Sequence, residues 1–344
     1  MDSFSATVDR MPALRSSISK NPERYRVLTG ERPTGQLHLG HYVGTIRERV
    51  RLQDAGVETF VILADYQVIT DRDTAGAVRD HVYSAALDYL AAGIDPACST
   101  IFTHSAVPEL NQLFLPFLSL VTEAELHRNP TVKAEQLSSG RALNGLLLTY
   151  PVHQAADILF CKGNLVPVGK DNLPHVEVTR TIARRFNERY GEVFPEPEAL
   201  ITESPELPGL DGRKMSKSYG NTITLAMSED ETARKIRKAP TDAERTITYD
   251  PDTRPGVSAL LETASVCLGQ PPQDIADEIG STGSGALKNL TTEAVNEFLR
   301  DLRRRRAALD IADAAEVLRA GNYAARRIAA ETLQETRAAM GMHY

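Results

Sequence analysis

The sequence predicts an α/β fold in which a doubly wound, Rossmann-like parallel sheet is followed by an all-helical C-terminal domain. Short apolar runs bounded by Gly and Pro alternate with stretches of helical periodicity over residues 25–225, and such βα repeats imply a parallel sheet. Beyond about residue 225 the strand signals thin out, and Ala, Glu, Arg and Leu dominate. We therefore predict an N-terminal extension at 1–24, a Rossmann-like domain at 25–225 and a helical domain at 226–344.

The first elements follow from local patterns. Residues 1–24 are polar and show no clear periodicity, so we expect a mobile arm or a lightly docked extension. The first strand spans 25–28, and a loop rich in Gly and Pro at 29–37 leads into an amphipathic helix. Beyond this unit we predict a strand at 59–64, a helix at 74–92 that stops at Gly93, and a strand at 100–103.

The later elements are mostly helical. The helix at 171–190 is long and amphipathic, and the prolines and glycines between 195 and 212 predict a loop. An Ala-rich helix at 323–340 ends the chain. Before these elements we predict helices at 108–121 and 150–161 and a short strand at 165–168.

The composition narrows the class of protein. No apolar run approaches the roughly 18 residues that cross a bilayer, and no signal peptide is evident, so we expect a cytoplasmic protein without a membrane partner. Cys98, Cys161 and Cys267 lie far apart, which argues against a zinc site or a disulfide framework. A net charge of -7 argues against a general nucleic-acid coat protein, and we expect the arginine run 303–306 to be a solvated helix face.

A first motif, Thr34–His41 with the sequence TGQLHLGH, lies between the first strand and its helix. This loop follows the carboxyl end of a parallel strand, where doubly wound folds bind nucleotides, and its glycines let a base or a phosphate approach. His38 and His41 are three residues apart, so both can donate to the same anion from one side of the helix start. The structural alternative is a capped turn that carries two surface histidines.

A second motif, Gly212–Ser218 with the sequence GRKMSKS, follows the predicted loop. Lys214 and Lys217 place two ammonium groups where they can reach the β and γ phosphates of a nucleotide and stabilise the charge that grows as pyrophosphate leaves. A solvated basic turn is the alternative for this segment alone. Together the two motifs predict that the turn and the helix start face the same triphosphate.

A KMSKS turn downstream of a His-x-Gly-His segment is the paired signature of class I aminoacyl-tRNA synthetases. The chain resembles the bacterial tryptophanyl-tRNA synthetases over about residues 25–344, through segments 30–44, 150–160, 165–191, 212–218 and 331–341. The resemblance implies a two-step ligase that activates L-tryptophan with ATP, with Mg²⁺ on the departing phosphates, and then charges tRNA(Trp). It also implies a homodimer.

The resemblance assigns site residues as well. Four catalytic side chains are implied at His38, His41, Lys214 and Lys217. The implied ATP-binding residues are Arg32, Pro33, Thr34, Gly40, His41, Gly169, Lys170, Asp171, Leu207, Lys214, Met215, Ser216, Lys217 and Ser218. The implied tryptophan-binding residues are Gln67, Tyr150, Gln154, Asp157, Val166, Val168 and Asn172.

Asp157 is the residue that we expect to select the amino acid. Indole N–H is a donor only and an ionised carboxylate is an acceptor only, so phenylalanine would leave a buried Asp157 unpaired. A surface position on its helix is the alternative. Arg32, Gln67, His41 and the run 170–172 depart from the family's commonest pattern, which bears on substrate affinity and choice rather than on the reaction class.

Two other functions stay open at this point. A tyrosyl-tRNA synthetase would share the fold and both motifs, although the segments YPVHQAAD and VPVGKD match the tryptophan family. A synthetase-like paralogue with a binding or regulatory role would keep the fold without charging tRNA, and Lys170 with Asn172 is compatible with that function.

Overall fold

The computed structural model describes residues 3–69, 76–139, 142–169, 172–202, 207–215, 219–342 and 344. Within these ranges the strands are β1 Arg26–Glu31, β2 Glu58–Leu63, β3 Ser99–Thr103, β4 Leu165–Val168 and β5 Glu198–Ile201. All pairings are parallel, in the order β3-β2-β1-β4-β5, so the connection order reverses between β1 and β4. The doubly wound parallel sheet predicted from the sequence is confirmed.

Helices surround this sheet and make up the C-terminal part. The α-helices of the described residues are α1 Ser3–Lys20, α2 Leu39–His41, α3 Arg47–Asp54, α4 Val78–Ala92, α5 Pro108–Leu118, α6 Glu123–Arg128, α7 Pro130–Ser139, α8 Gly145–Leu159, α9 Leu173–Tyr190, α10 Glu229–Arg237, α11 Pro255–Leu268, α12 Pro272–Ile279, α13 Ser284–Ala307 and α14 Ile311–Ala339. A π-helical turn, Tyr42–Ile46, joins α2 to α3. None of the described helices combines the length and the apolar character of a membrane span. The helical character predicted beyond residue 225 is confirmed, whereas a separate domain at 226–344 stays a prediction.

Hydrophobic side chains cover both faces of the sheet. Val61 and Leu63 pack on one face with residues of α4 and of the C-terminal helices, among them Leu260. Phe60 and Ile62 pack on the other face beneath α5, α8 and α9. Neighbouring residues of β2 therefore pack on opposite faces of the sheet, as expected for a central strand that is buried on both sides.

The N-terminal residues correct the prediction of a mobile arm. They form α1, in which Met11, Leu14 and Ile18 are buried. These side chains pack against Val27 of β1 and Leu200 of β5. The spacing of three and four residues is helical, but the apolar stripe is narrow and is diluted by polar neighbours, which is why the sequence pattern did not reveal it.

A second correction concerns the predicted loop at 195–212. Its residues Glu198–Ile201 form the edge strand β5, with Glu198 opposite Leu165 and Ile201 opposite Val168. The prolines and glycines around this four-residue strand dominated the sequence signal.

The last helix, α14, covers the other edge of the sheet. Gly321 lies directly against β3, because a Cβ atom at this position would collide with the carbonyl oxygen of Ile101. The next residue, Asn322, accepts a hydrogen bond from the Thr103 backbone N–H through Oδ1 at 2.9 Å. The helix therefore provides a hydrogen-bond acceptor for a backbone N–H of the edge strand β3, which would otherwise face solvent.

The arginine run 303–306 is a solvated helix face only in part. Arg304 is exposed, as predicted, but Arg305 donates to the carbonyl oxygen of Ala91 at 2.6 Å and Arg306 pairs with the buried Asp88 at 2.7 Å. Both partners belong to α4. These arginines therefore fasten α13 to the helices that cover the sheet.

Candidate functional site

The candidate site lies at the carboxyl edge of the sheet, where the strand order reverses. The segments that follow β1 and β4 begin there with Arg32 and Gly169. Glu31, Leu63 and Thr103 are in register across β1, β2 and β3, so the turns that follow these strands emerge at the same edge. Open α/β sheets bind their ligands at such a switch point.

The two sequence motifs lie against each other on this edge. A Cβ atom at Gly40 would lie 3.0 Å from the Met215 sulfur and 3.2 Å from the imidazole of His38. Glycine therefore permits the close approach of the second motif to the helix start. Lys214, next to Met215, is exposed.

Backbone hydrogen bonds join the same two segments. The Leu39 N–H donates to the Ile223 carbonyl at 2.8 Å, and the Leu225 N–H donates to the Leu37 carbonyl at 3.0 Å. The chain that leaves the KMSKS turn thus runs alongside the chain that enters α2. The motifs are close because the backbone holds them together.

Side-chain contacts fix the beginning of the KMSKS turn. Asp211 pairs with Arg213 at 2.6 Å and accepts a hydrogen bond from Asn221 Nδ2 at 2.7 Å. Burial raises the pKa of Asp211, but the hydrogen bonds from Asn221 and Arg213 outweigh burial and lower it. Gly212 has a φ of 79°, and a side chain there would meet Pro255 of α11, so glycine is required for both reasons.

His38 and His41 form a contact pair at the helix start. Their ring centroids are 3.7 Å apart, and the His38 backbone N–H donates to His41 Nδ1 at 3.2 Å. A ring nitrogen that accepts a hydrogen bond carries no proton, so Nε2 is the N–H donor of His41. The two side chains cap the start of α2, so the capped turn of the alternative is present. Its surface position is wrong for His38, which is buried, and His41 is half-buried.

A buried ion pair, which the sequence did not predict, supports this helix start. Arg49 is 1% exposed and donates to Glu31 Oε1 at 2.8 Å and to Tyr89 Oη at 3.0 Å. Thr45 Oγ1 lies 3.2 Å from the same Glu31 oxygen and 3.0 Å from the His41 carbonyl oxygen. Burial raises the pKa of Glu31, but the charge of Arg49 and the hydrogen bonds from Arg49 and Thr45 outweigh burial and lower it. An ionised carboxylate therefore stands directly behind the histidine motif.

Asp157 of α8 is 2% exposed, so the alternative of a surface aspartate is wrong. Its Oδ1 accepts a hydrogen bond from His104 Nε2 at 2.6 Å, and its Oδ2 lies 3.4 Å from Gln67 Nε2. His104 begins the turn after β3, and Gln67 lies in the turn after β2. Sequence reasoning missed His104, although a histidine directly after a parallel strand is at the edge where ligands bind.

His104, His153 and Asp157 form a buried cluster whose ligand atoms lie within 4.8 Å of one another, close enough to hold a metal ion. His104 is hydrogen-bonded to Asp157 inside the cluster, and His153 Nε2 lies 2.7 Å from Asn111 Oδ1 outside it. Burial lowers the pKa of His153, Asp157 opposes this change, and His104 adds to it. His153 is therefore a neutral neighbour of the carboxylate at pH 7.

Tyr150, also on α8, is buried beside a histidine that sequence reasoning missed. Its Oη lies 3.0 Å from His175 Nε2. Burial, and then the charge of Arg32, lowers the pKa of His175 to about 4, so this ring is neutral at pH 7. Arg32 itself pairs with Glu135 of α7 at 2.9 Å. A hydroxyl can donate one hydrogen bond and accept two, so Tyr150 can contact a ligand while it stays bonded to His175.

The other predicted site residues differ in burial where the structure describes them. Asn172 is exposed, and its backbone N–H donates to the Gly169 carbonyl at 3.1 Å. Leu207 is packed in the hydrophobic core. Pro33, Val166 and Val168 are buried, and Thr34 and Gln154 are half-buried. Lys170, Asp171, Ser216, Lys217 and Ser218 lie outside the described residues. The ligand contacts of all these residues stay predictions.

Comparison with known proteins gives consistent matches. The family model for tRNA synthetases class I (W and Y) matches residues 20–300. The chain is 41% identical to a tryptophan–tRNA ligase of Clostridium longisporum, over 92% of this chain and 97% of that protein. It is 41% identical to a tryptophan–tRNA ligase of Streptococcus pneumoniae, over 92% and 98%. The solved tryptophanyl-tRNA synthetase of Campylobacter jejuni, complexed with ADP and tryptophan, superposes with a TM-score of 0.80 at 32% identity and covers 92% of this chain and 99% of its own.

Proposed function

The chain belongs to the class I aminoacyl-tRNA synthetases and, within them, to the tryptophanyl-tRNA synthetase family, and from this premise we propose that it activates L-tryptophan with ATP and transfers it to tRNA(Trp). The structural observation that supports the proposal is the contact of Met215 with Gly40, because it sets the described beginning of the KMSKS segment beside the histidine motif. Because its relatives are named tryptophan–tRNA ligases, we propose tryptophan rather than tyrosine as the amino acid.

In the first step a carboxylate oxygen of tryptophan attacks the α-phosphorus of ATP. The bond to the oxygen that bridges the α and β phosphates breaks, and pyrophosphate leaves as tryptophanyl-adenylate forms. The His41 Nε2–H and the lysines of the KMSKS turn would donate to the phosphates, where negative charge develops. Glu31, the carboxylate behind the motif, is bonded to Arg49, so we assign Mg²⁺ to the phosphates of ATP rather than to the chain.

The amino-acid side of the site supports selection of an indole. Asp157 is a buried acceptor, and its Oδ2 faces only the long contact from Gln67 among the described hydrogen bonds. An indole N–H would satisfy this oxygen, whereas a phenyl ring would leave it without a donor. Val166 and Val168 belong to β4, pack in the same hydrophobic cluster as residues of α8, and would supply apolar surface for the indole ring.

In the second step a ribose hydroxyl of the terminal adenosine of tRNA, which we assign as the 2′-hydroxyl, attacks the carbonyl carbon of the adenylate, and AMP leaves. We assign the contacts with tRNA to a helical domain at 226–344. We also propose a homodimer, as in the family, and a cytoplasmic location, where tRNA is charged. These assignments rest on family membership.

Charging of tRNA tests the proposed function. The purified protein, ATP, Mg²⁺ and labelled tryptophan should charge a tRNA(Trp) transcript and leave a tRNA(Tyr) transcript with tyrosine uncharged. Formation of adenylate without transfer to tRNA would instead support a synthetase-like paralogue. Faster charging of tRNA(Tyr) with tyrosine would support the tyrosyl function.

A further inference from the structure

We propose that His104 is a positioning residue for the selection of tryptophan: it holds Asp157 through Oδ1 and thereby keeps Oδ2 directed to the indole N–H. The inference rests on the proposed role of Asp157 and deepens it. It concerns how this chain orients its acceptor, and it assigns that task to a residue that sequence reasoning did not select.

The two oxygens of Asp157 have different hydrogen-bond partners. Oδ1 receives a bond of 2.6 Å from His104 Nε2, a length that is typical of a strong bond to a charged group. Oδ2 lies 3.4 Å from Gln67 Nε2, which is beyond the usual range for an N–H donor and a carboxylate oxygen. A substrate N–H can therefore improve the pairing of Oδ2, whereas Oδ1 is already satisfied.

His104 is itself held in place by packing. Its side chain is 0% exposed, its ring centroid lies 4.7 Å from that of His153, and the ring of Tyr66 stacks on it at 6.3 Å with an interplanar angle of 18°. A side chain that is fully buried and packed against two rings holds its hydrogen-bond direction, which is what a positioning residue requires.

The turns that carry His104 and Gln67 are tied to each other. The Ser105 N–H donates to Asp65 Oδ1 at 3.0 Å, and the Ser105 hydroxyl donates to Asp65 Oδ2. Asp65 begins the turn that contains Gln67, and Ser105 follows His104 directly. Both donors to Asp157 therefore lie on one connected unit at the ends of β2 and β3.

Removal of the His104 N–H would leave the buried carboxylate with one long contact. A buried charged group without a good partner is costly, so Asp157 would turn towards other donors or admit water. The acceptor would then no longer be fixed for the indole N–H. The loss would fall on recognition of that N–H and not on recognition of the ring's shape.

A pair of substrates separates this role from simple packing. In 3-(benzothiophen-3-yl)alanine a sulfur atom replaces the indole N–H while the shape of the ring system is nearly kept. The quantity to measure is the ratio of kcat/KM for tryptophan to kcat/KM for this analogue, in ATP–pyrophosphate exchange. A defect in packing lowers both values together, whereas a misplaced acceptor lowers the ratio.

The variants to compare are His104→Ala, His104→Gln, Asp157→Ala and the control His127→Ala, whose side chain on α6 is 48% exposed. In the wild-type protein we expect kcat/KM to be about 10- to 100-fold higher for tryptophan than for the analogue. This ratio corresponds to the free energy of a hydrogen bond to a charged group. In His104→Ala the preference should fall to within a few fold of unity, mainly through a higher KM for tryptophan. His104→Gln should restore most of it, since an amide N–H can donate to Oδ1, and His127→Ala should match the wild type.

The outcomes distinguish failure of this inference from failure of the role of Asp157. A preference that survives in His104→Ala but is lost in Asp157→Ala would overturn the positioning role of His104. A preference that survives in Asp157→Ala, which has no acceptor, would overturn the assignment of Asp157 as acceptor, and with it the basis of the inference. If circular dichroism shows that His104→Ala does not fold, His104→Phe fills the same space without a donor and is judged by the same ratio.

Discussion

The two sides of the proposed site differ. The side that we assign to the phosphates carries the histidine pair and the exposed Lys214, and the side that we assign to the amino acid consists of buried hydrogen-bonded pairs. On the phosphate side, the histidine motif and the KMSKS turn meet at Gly40 and Met215, and Lys214 is exposed. On the amino-acid side, Asp157 and Tyr150 are buried, and each is bonded to a histidine. The two sides thus differ in exposure and in how their side chains are held.

This difference follows from what each side has to recognise. A triphosphate carries several charges, so it can be bound by cations that keep contact with water, and the protein mainly neutralises charge as pyrophosphate leaves. An indole carries one polar atom, and a single hydrogen bond discriminates strongly only where an unpaired acceptor would be buried. Loss of a lysine on the phosphate side should therefore lower the rate of adenylate formation, and loss of the acceptor on the amino-acid side should reduce discrimination between amino acids.

Glu31→Gln should have the largest effect, because it breaks the buried ion pair on which the phosphate side rests. Removal of one partner leaves Arg49 as a buried charge, and we expect a loss of about 3 kcal/mol in the free energy of unfolding, measured by urea denaturation at pH 7. The matched control is Glu58→Gln, which breaks an exposed pair with Arg26 and should cost less than about 1 kcal/mol.

The effect of Glu31→Gln on the free energy of unfolding should depend on pH. The pKa of Glu31 in the folded protein is lowered from the ordinary value of 4.5, so its contribution to stability is present above that value and is lost as the pH falls through the folded pKa. The difference in stability between the wild type and Glu31→Gln should therefore narrow below about pH 4.5. A difference that stays constant, or a small cost at pH 7, would show that the pair does not support the motif.

Lys217→Ala should slow adenylate formation by at least about 10²-fold, as expected for the loss of one donor to charge that develops in the transition state. Rapid-quench measurement of adenylate at saturating tryptophan and ATP gives this rate. Lys238→Ala removes an exposed lysine at the end of α10 and should leave the rate unchanged. An unaltered rate in Lys217→Ala would remove the KMSKS turn from the mechanism.

Asp157→Ala should raise the KM for tryptophan by about 10-fold or more and reduce discrimination against phenylalanine, because the buried acceptor is gone. Steady-state exchange with each amino acid measures both effects. Asp277→Ala, at an exposed position on α12, is the control. Retention of both affinity and discrimination would mean that another residue reads the indole.

Gly40→Ala should have the smallest effect, a rise in the KM for ATP of about fivefold, which corresponds to about 1 kcal/mol for a methyl group placed in a tight contact. The new methyl would press on the Met215 sulfur, which is the end of a flexible side chain and can shift by a few tenths of an ångström. Gly44→Ala in the following helical turn is the matched control, since a Cβ there meets no described atom within 4 Å. Equal KM values for the two variants would mean that the motif contact is unimportant for ATP.

Sequence reasoning succeeded where the signal is local. Both motifs are contiguous, and the order of strands and helices follows from short periodic segments, so the parallel sheet and the helical C-terminal part could be predicted. The strand β5 was missed because prolines and glycines surround it, and α1 was missed because its apolar stripe is narrow.

The amino-acid side could be predicted only in part, because its partners are far apart in the chain. His104 and Gln67 lie 53 and 90 residues from Asp157, and His175 lies 25 residues from Tyr150. No periodicity connects such residues, and only the register of the sheet brings them together. Resemblance to a family could point to Asp157 but not to the histidine that holds it.

The most direct test of the proposed activity is ATP–pyrophosphate exchange by the wild-type protein with each of the twenty amino acids in turn. Tryptophan should support the fastest exchange, and tyrosine and phenylalanine should support little. Faster exchange with tyrosine, or no exchange with tryptophan at all, would contradict the assignment of this site to tryptophan activation.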